Sequence, residues 1–316
     1  MTEPLVSIAL PVYNGERHLG DAIEAIRAQT YRNFELIICD NASTDATPEI
    51  VARAQSEDSR IRSFRHERNL GPQANFRYGM EQRRGEYFMW AAHDDEKMPE
   101  FLAETVAALE RHRSASMACT WTTLVTRDGE RVHRPYSPAI ASDRLEERLP
   151  AFVADTQCVA FYGLYRSSVL ERIGAPDDWL DADRHYLFKT IVQGPFEVVP
   201  KPLFRFRMFN TLDDYLRTFR MRPGAADYDL DLYHYLPRLL REAGVDEATI
   251  GRAWPAMMVP LRPYFANRAT FLIGQLLATD DGRKAKLARL AALTKAYPPL
   301  LQQRLFWGAV RRVILR

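Results

Sequence analysis

Residues 6–15 read Val6-Ser7-Ile8-Ala9-Leu10-Pro11-Val12-Tyr13-Asn14-Gly15, and residues 36–45 read Leu36-Ile37-Ile38-Cys39-Asp40-Asn41-Ala42-Ser43-Thr44-Asp45. Each is a short, nearly unbroken apolar run that stops at a cluster of turn-forming polar residues. Runs of this kind suit strands covered by helices on both faces. Working outward, helix-patterned stretches at Arg17 to Gln29, Asp45 to Ser56 and Pro72 to Gln82 alternate with strand-like runs at Phe34 to Cys39, Ile61 to Arg65 and Tyr87 to Ala91. That alternation is the mark of βαβ units and predicts an α/β fold built on a parallel sheet. Ligands of open α/β sheets collect beyond the carboxyl ends of the strands. Three polar clusters leave strands there: Pro11 to Gly15, Asp40 to Asp45, and His93-Asp94-Asp95-Glu96.

Past Met98 the pattern loosens into a helix to His112, a hairpin at Asp128-Gly129, a helix from about Asp143 to Val153, and a helix from Asp181 or Asp183 to Gln193. From about Leu212 the chain reads mostly helical, broken by prolines. The 316 residues are 47% hydrophobic with a net charge of +2, a globular composition. Cys39, Cys119 and Cys158 show no CxxC or His-rich spacing, which argues against a disulfide framework or a zinc site and predicts a reducing compartment. Neither a basic leader nor an apolar stretch of spanning length is present, so a cytoplasmic location without secretion signal or membrane span is expected. Neither GxGxxG nor GxxxxGK[ST] occurs, which removes most support for dinucleotide oxidoreductases and P-loop NTPases.

Asp94 and Asp95 follow the apolar run Tyr87 to Ala92. Adjacent carboxylates at a strand end repel unless something cationic or hydrogen-bonding sits there, and a divalent ion shared with substrate phosphates meets that need. The competing reading is a turn whose acids cap the helix beginning near Pro99. Similarly, Thr44 or Asp45 suits an ordinary N-cap for the following helix.

Taken together, Ser7 to Gly15, Ala28-Gln29-Thr30-Tyr31-Arg32-Asn33-Phe34-Glu35, Cys39 to Asp45, Asn69-Leu70-Gly71, and Gly85-Glu86-Tyr87 leading to Asp94-Asp95 resemble the family-2 glycosyltransferases of the GT-A fold. The resemblance implies a Rossmann-like mixed sheet flanked by helices over residues 1–210, with a nucleotide-sugar half at 1–100 and an acceptor half at 101–210. A mainly helical C-terminal extension would cover residues 211–316. It further implies an inverting, metal-dependent transferase that moves a sugar from a nucleoside-diphosphate sugar to a hydroxyl of a glycan or lipid-linked acceptor, in bacterial cell-surface polysaccharide synthesis. Carried over by position, Tyr13 would stack on the base, with the backbone near Pro11 and Val12 lining its pocket. Asp40 and Asn41 would contact base and ribose, Asp94 the ribose, and Asp95 the divalent metal, Mn²⁺ or Mg²⁺. Asn41 stands where many members carry Asp, and His93 where an acid often begins the motif.

In the acceptor half, the resemblance implies a general base eleven positions before a glycine; Asp183, ahead of Gly194, fits, with Asp181 and Asp178 as alternatives. A carboxylate in a first helical turn is also stabilised by the helix dipole, so a capping acid is the competing reading. Arg205 or Arg207 would help neutralise the diphosphate, because Met208 occupies the position where relatives place a histidine. Ala182 replaces a usual Glu. Rival readings are a nucleotidyltransferase, and a non-catalytic sugar-nucleotide or glycan-binding protein of the same fold.

Between Arg283 and Arg316 there are nine Lys or Arg and no acid. At helical spacing, residues 300–316 place Phe306, Trp307, Val310, Val313 and Ile314 on one arc and Arg304, Arg311, Arg312 and Arg316 opposite. Such a helix either lies on the inner face of the cytoplasmic membrane or packs on its own protein. No nucleic-acid motif accompanies it. The helical C-terminal region is equally suited to a homodimer interface.

Overall fold

The computed structural model describes residues 3–155, 158–176, 182–208, 236–238, 240–258, 283–296, 307 and 311. The chain divides into two compact units, Met1–Tyr215 and Leu216–Arg316. In the second unit, residues 247–258 and Arg283–Ala296 are helical. No helix among the described residues is long and apolar enough to cross a membrane.

The first unit opens with four parallel strands in the order β3-β2-β1-β4: β1 Val6–Val12, β2 Phe34–Asp40, β3 Ile61–Arg65 and β4 Tyr87–Trp90. Every residue of β1, β2 and β4 is buried, as their continuous apolar runs require. Helix α1 (Leu19–Arg27) buries Leu19, Ala22, Ile23 and Ile26, one stripe at helical spacing. Helices α2 (Thr47–Glu57) and α3 (Pro72–Glu81) begin with proline in the first turn, where its missing N–H costs nothing.

The sheet then changes character. A short β5 (Glu96–Lys97) precedes α4 (Phe101–Arg111), and β6 (Met117–Thr126) turns through Asp128 into β7 (Gly129–His133). After α5 (Leu145–Val153), a single 3-10 turn at Val159–Tyr162 leads into β8 (Leu164–Arg166) and α6 (Ser167–Ile173). Strand β8 runs antiparallel to both β4 and β6, so the sheet is mixed. Helix α7 (Ala182–Gln193) and β9 (Phe196–Arg207) follow; β9 runs parallel to β6 and antiparallel to β5. The β6–β9 register slips between Thr120 and Thr122, which accommodates Pro200-Lys201-Pro202 in β9.

Trp90 is the hub of the core where the two halves of the sheet meet. It stacks on Phe161 at 4.8 Å and meets Phe88, Tyr165 and Tyr186 edge-on at 4.7, 5.6 and 5.4 Å. Trp90 Nε1 donates to the Phe76 carbonyl at 3.1 Å, so the buried indole leaves no donor unpaired.

Candidate active site

The loops leaving β1 and β2 are tied to one another. Asn14 takes a left-handed backbone conformation, and its side-chain oxygen accepts the Thr44 N–H at 2.8 Å, while Ser43 Oγ accepts the Asn14 N–H at 2.9 Å. Asp45 spans both loops: one oxygen accepts the Thr47 N–H at 3.1 Å and the other the Glu16 N–H at 3.0 Å. The N-cap of the following helix is Ala46, not Thr44 or Asp45, so Asp45 serves the first-turn N–H of Thr47 from one position further back while tying the two loops together. Between these loops Tyr13 stands 40% exposed, while Pro11 and Val12 are buried within β1.

Asp40, at the end of β2, is 3% exposed and engaged through both oxygens. Oδ1 accepts the Ser43 N–H at 2.9 Å, and Oδ2 pairs with the guanidinium of Arg65, which also donates to the Ser43 carbonyl at 2.7 Å. Arg65 was not singled out from sequence, although it leaves the third strand at the same edge and the strand-end rule would have found it. Asn41 is 2% exposed, and its amide is spent on the segment before α3.

The Asp94-Asp95 pair lies at the same carboxyl edge, beyond β4. Asp94 is half-buried; Asp95 is 5% exposed. Asp95 Oδ1 accepts the Arg207 N–H at 2.8 Å, and Oδ2 is buried with no hydrogen-bond partner. Burial, and then the neighbouring charge of Asp94, push the Asp95 carboxyl up to about 8. An unpartnered buried carboxylate oxygen is costly, and a bound cation removes that cost. Among the described residues no three His, Cys, Asp or Glu side chains converge on a metal position.

Basic side chains gather around this pair. His18, which precedes α1, interacts with Asp94, His93, Arg17 and Arg207; burial, then the Arg207 charge, lower its pKa. Lys97, two residues beyond Asp95, is 5% exposed. Its ammonium donates to the Tyr162 carbonyl at 2.9 Å and lies 3.1 Å from the Phe204 ring centroid and 4.4 Å from that of Phe101. Burial pulls it well below the ordinary amine value, against the pull of Asp95. Gln29, just beyond α1, fixes this segment: its amide donates to the Lys97 and Met98 carbonyls at 3.3 and 2.8 Å, and its oxygen accepts the Leu102 N–H at 3.0 Å.

Arg205 and Arg207, expected to offer charge to a diphosphate, are both paired within the chain. Arg205 reaches Glu130 at 2.6 and 3.0 Å and Glu96 at 3.5 Å. Arg207 pairs with Glu96 and donates to the Asp94 carbonyl, which makes it a brace for the acidic turn. Met208 packs against the hydrophobic core.

On the acceptor side, Asp183 is exposed in the first turn of α7. The opposite end of that helix is anchored. Buried Arg148 donates to the Ile191 carbonyl at 2.9 Å and the Val192 carbonyl at 3.3 Å. Gly194 packs so closely that a Cβ there would lie 2.3 Å from the Ser114 carbonyl oxygen, which explains a glycine at this spacing from Asp183. Asp178 and Asp181 lie outside the described residues, as do residues 300–316 apart from the exposed Trp307 and Arg311.

Residues 7–174 match the family model described as Glycosyl transferase family 2. A Rickettsia bellii protein named as an uncharacterized glycosyltransferase is 39% identical over 108 residues, a stretch that covers 34% of this chain and 15% of that protein. Among solved structures, S. aureus TarS 1-349 in complex with UDP-GlcNAc superposes with a TM-score of 0.73 at 16% identity, covering 98% of this chain and 90% of TarS 1-349. The mannosyltransferase PcManGT from Pyrobaculum calidifontis, in complex with GDP-Man and Mn2+, gives 0.55 at 18% identity, covering 100% and 87%. The two superpositions establish a shared fold.

Proposed function

The chain belongs to glycosyl transferase family 2, and from that premise we propose that it moves a sugar from a nucleoside-diphosphate sugar to a hydroxyl of a glycan or lipid-linked acceptor, with inversion, in the synthesis of a bacterial cell-surface polysaccharide. Asp95 carries the reading: a buried carboxylate oxygen without a partner, beside Asp94 and at the carboxyl edge of the sheet, fits a divalent cation. Mn²⁺ or Mg²⁺ held by Asp95 and the donor's phosphates would neutralise charge on the departing diphosphate. TarS and PcManGT, solved in complex with UDP-GlcNAc and GDP-Man, support the donor class.

In this reading Tyr13 stacks on the base over the backbone of Pro11 and Val12. Asp40, braced by Arg65, borders the base pocket, and Asp94 accepts a ribose hydroxyl. Asp183 takes the proton of the acceptor hydroxyl as its oxygen bonds to the anomeric carbon. The bond from that carbon to the diphosphate breaks on the opposite face, and its electron pair leaves with the nucleoside diphosphate. General-base help of this kind contributes about 10²–10⁴ in rate.

The test is a thermal-shift panel of UDP-, GDP-, dTDP- and CMP-sugars with and without Mn²⁺, repeated on Asp95→Ala. A ligand at 100 times its Kd stabilises by about 2.7 kcal/mol, roughly 5–10 °C for this size. A metal-dependent shift with one nucleotide, lost in the variant, supports the donor site; no shift with any of them overturns it. Release of pyrophosphate in place of nucleoside diphosphate would move the protein to the nucleotidyltransferases, and binding without turnover to the non-catalytic class. For the tail, we propose contact with anionic lipid at the inner membrane face. Co-sedimentation with anionic liposomes should be lost on truncation after Pro299, and retention there would sink the idea.

A further inference from the structure

Asn41 is buried, yet among the described residues its side chain hydrogen-bonds the segment Asn69-Leu70-Gly71 alone. Its oxygen accepts the Leu70 N–H at 2.8 Å; its NH₂ donates to Asn69 Oδ1 at 3.0 Å and to the Gly71 carbonyl at 3.1 Å. Asn69 Oδ1 in turn accepts the Gly71 N–H at 2.8 Å. Both amide hydrogens are therefore used, and none remains for a ligand. Gly71, with φ of +87°, lets the chain turn sharply into α3. The outcome of this bracing is an apolar side chain held in water: Leu70 is 45% exposed, although its own N–H is pinned.

The other exposed large apolar group at this edge is Tyr13, 40% exposed. It leaves β1 directly after Val12, whose carbonyl accepts the Asn41 N–H at 2.9 Å. Asn41 is thus bonded to both segments, through its backbone to Val12, the residue before Tyr13, and through its amide oxygen to Leu70. An exposed leucine adds little to the core, and one whose backbone is pinned is suited to an apolar contact with a ligand.

The geometry points to Asn41 as a positioning residue that acts through Leu70, with Leu70 making an apolar contact to the heterocyclic base of the donor, across from Tyr13. Asn41 itself does not read the base. This inference rests on the donor-site reading above and assigns within it how base recognition is divided.

The experiment pairs two measurements on the full chain with UDP and GDP as probes: nucleotide affinity in the presence of Mn²⁺, and hydrogen exchange of the Leu70 and Gly71 amides. Leu70→Ala should weaken the preferred nucleotide about 5–10-fold and leave exchange of the Gly71 amide unchanged. Asn41→Ala should weaken it by a similar factor and speed exchange at both amides roughly 10-fold or more. Because Asn41 works through Leu70, the double variant should bind no more weakly than the weaker single variant; additive losses would overturn the proposal. Asn41→Asp keeps the acceptor for Leu70 but loses both donors. A changed UDP-to-GDP preference in that variant, with unchanged amide exchange, would restore direct base reading and also overturn it. If the wild-type chain binds neither nucleotide, the donor-site reading fails and the Leu70 contact with it. Unchanged exchange in Asn41→Ala would by itself refute the bracing.

Discussion

Asp183 sits at the exposed start of a helix whose far end is locked by Arg148 and Gly194. Asp183→Asn should lower kcat by about 10²–10⁴-fold while donor Kd stays within about twofold, read from steady-state kinetics beside nucleotide titration. Asp95, by contrast, is buried, and its Oδ2 has no hydrogen-bond partner among the described residues. Asp95→Asn should leave the metal-free protein at least as stable, by up to roughly 1–3 kcal/mol in urea unfolding, while abolishing Mn²⁺-dependent stabilisation by nucleotide. A marked loss of stability would show instead that the carboxylate balances Lys97. Asp183, in the first turn of α7, was pointed to only by the resemblance, whereas the place of Asp95 was legible because a strand edge concentrates ligand-facing groups. Arg65 obeys the same rule and was passed over. Asn41 was not legible, because its partners lie 28 to 30 positions away and only folding reveals that its amide is spent.

The corner between α2 and β3 shows what an element boundary can rest on. Asp58 ends α2, accepts from Arg60 through both oxygens at 2.7 and 3.0 Å, and lies 3.7 Å from Arg27; Arg60 covers the Phe34 ring at 4.1 Å. The hydrogen bond from Arg60 holds the Asp58 carboxyl below its ordinary value of 3.8, against the opposing effect of burial. A carboxyl held low when folded contributes stability that is complete above the unfolded value and fades as pH falls through the folded one. Asp58→Asn should therefore cost about 1–2 kcal/mol at pH 7 and almost nothing once the pH is well below 3.8, measured as urea midpoints at the two extremes. At this scale β1 to β4 and the helices between them could be read directly, because continuous apolar runs and stripes at helical spacing report their own burial. The reversal of β8 could not. It is three residues long, and its direction is set by its neighbours β4 and β6.

Every donor-side residue discussed, together with Asp183, belongs to the unit Met1–Tyr215. A chain ended at Tyr215 should melt in one cooperative transition and show a nucleotide-induced shift within about 2 °C of the full protein; a lost shift would mean that the C-terminal unit completes the site. The global pattern in the sequence sufficed for an α/β fold, whereas the pairing of Arg205 and Arg207 with Glu96 and Glu130 depends on strands β5, β7 and β9 being brought into register. The same ordering governs how the protein is made. Strand β4 finds its second neighbour only in Leu164–Arg166, so during synthesis its aromatic-rich edge, Tyr87 to Trp90, must wait for more than half of the first unit to leave the ribosome. Until then the nascent chain carries an open strand edge that invites pairing with other chains. Slower translation across the stretch between β4 and β8 should therefore lower the yield of native protein, and chaperones that cover this edge should restore it.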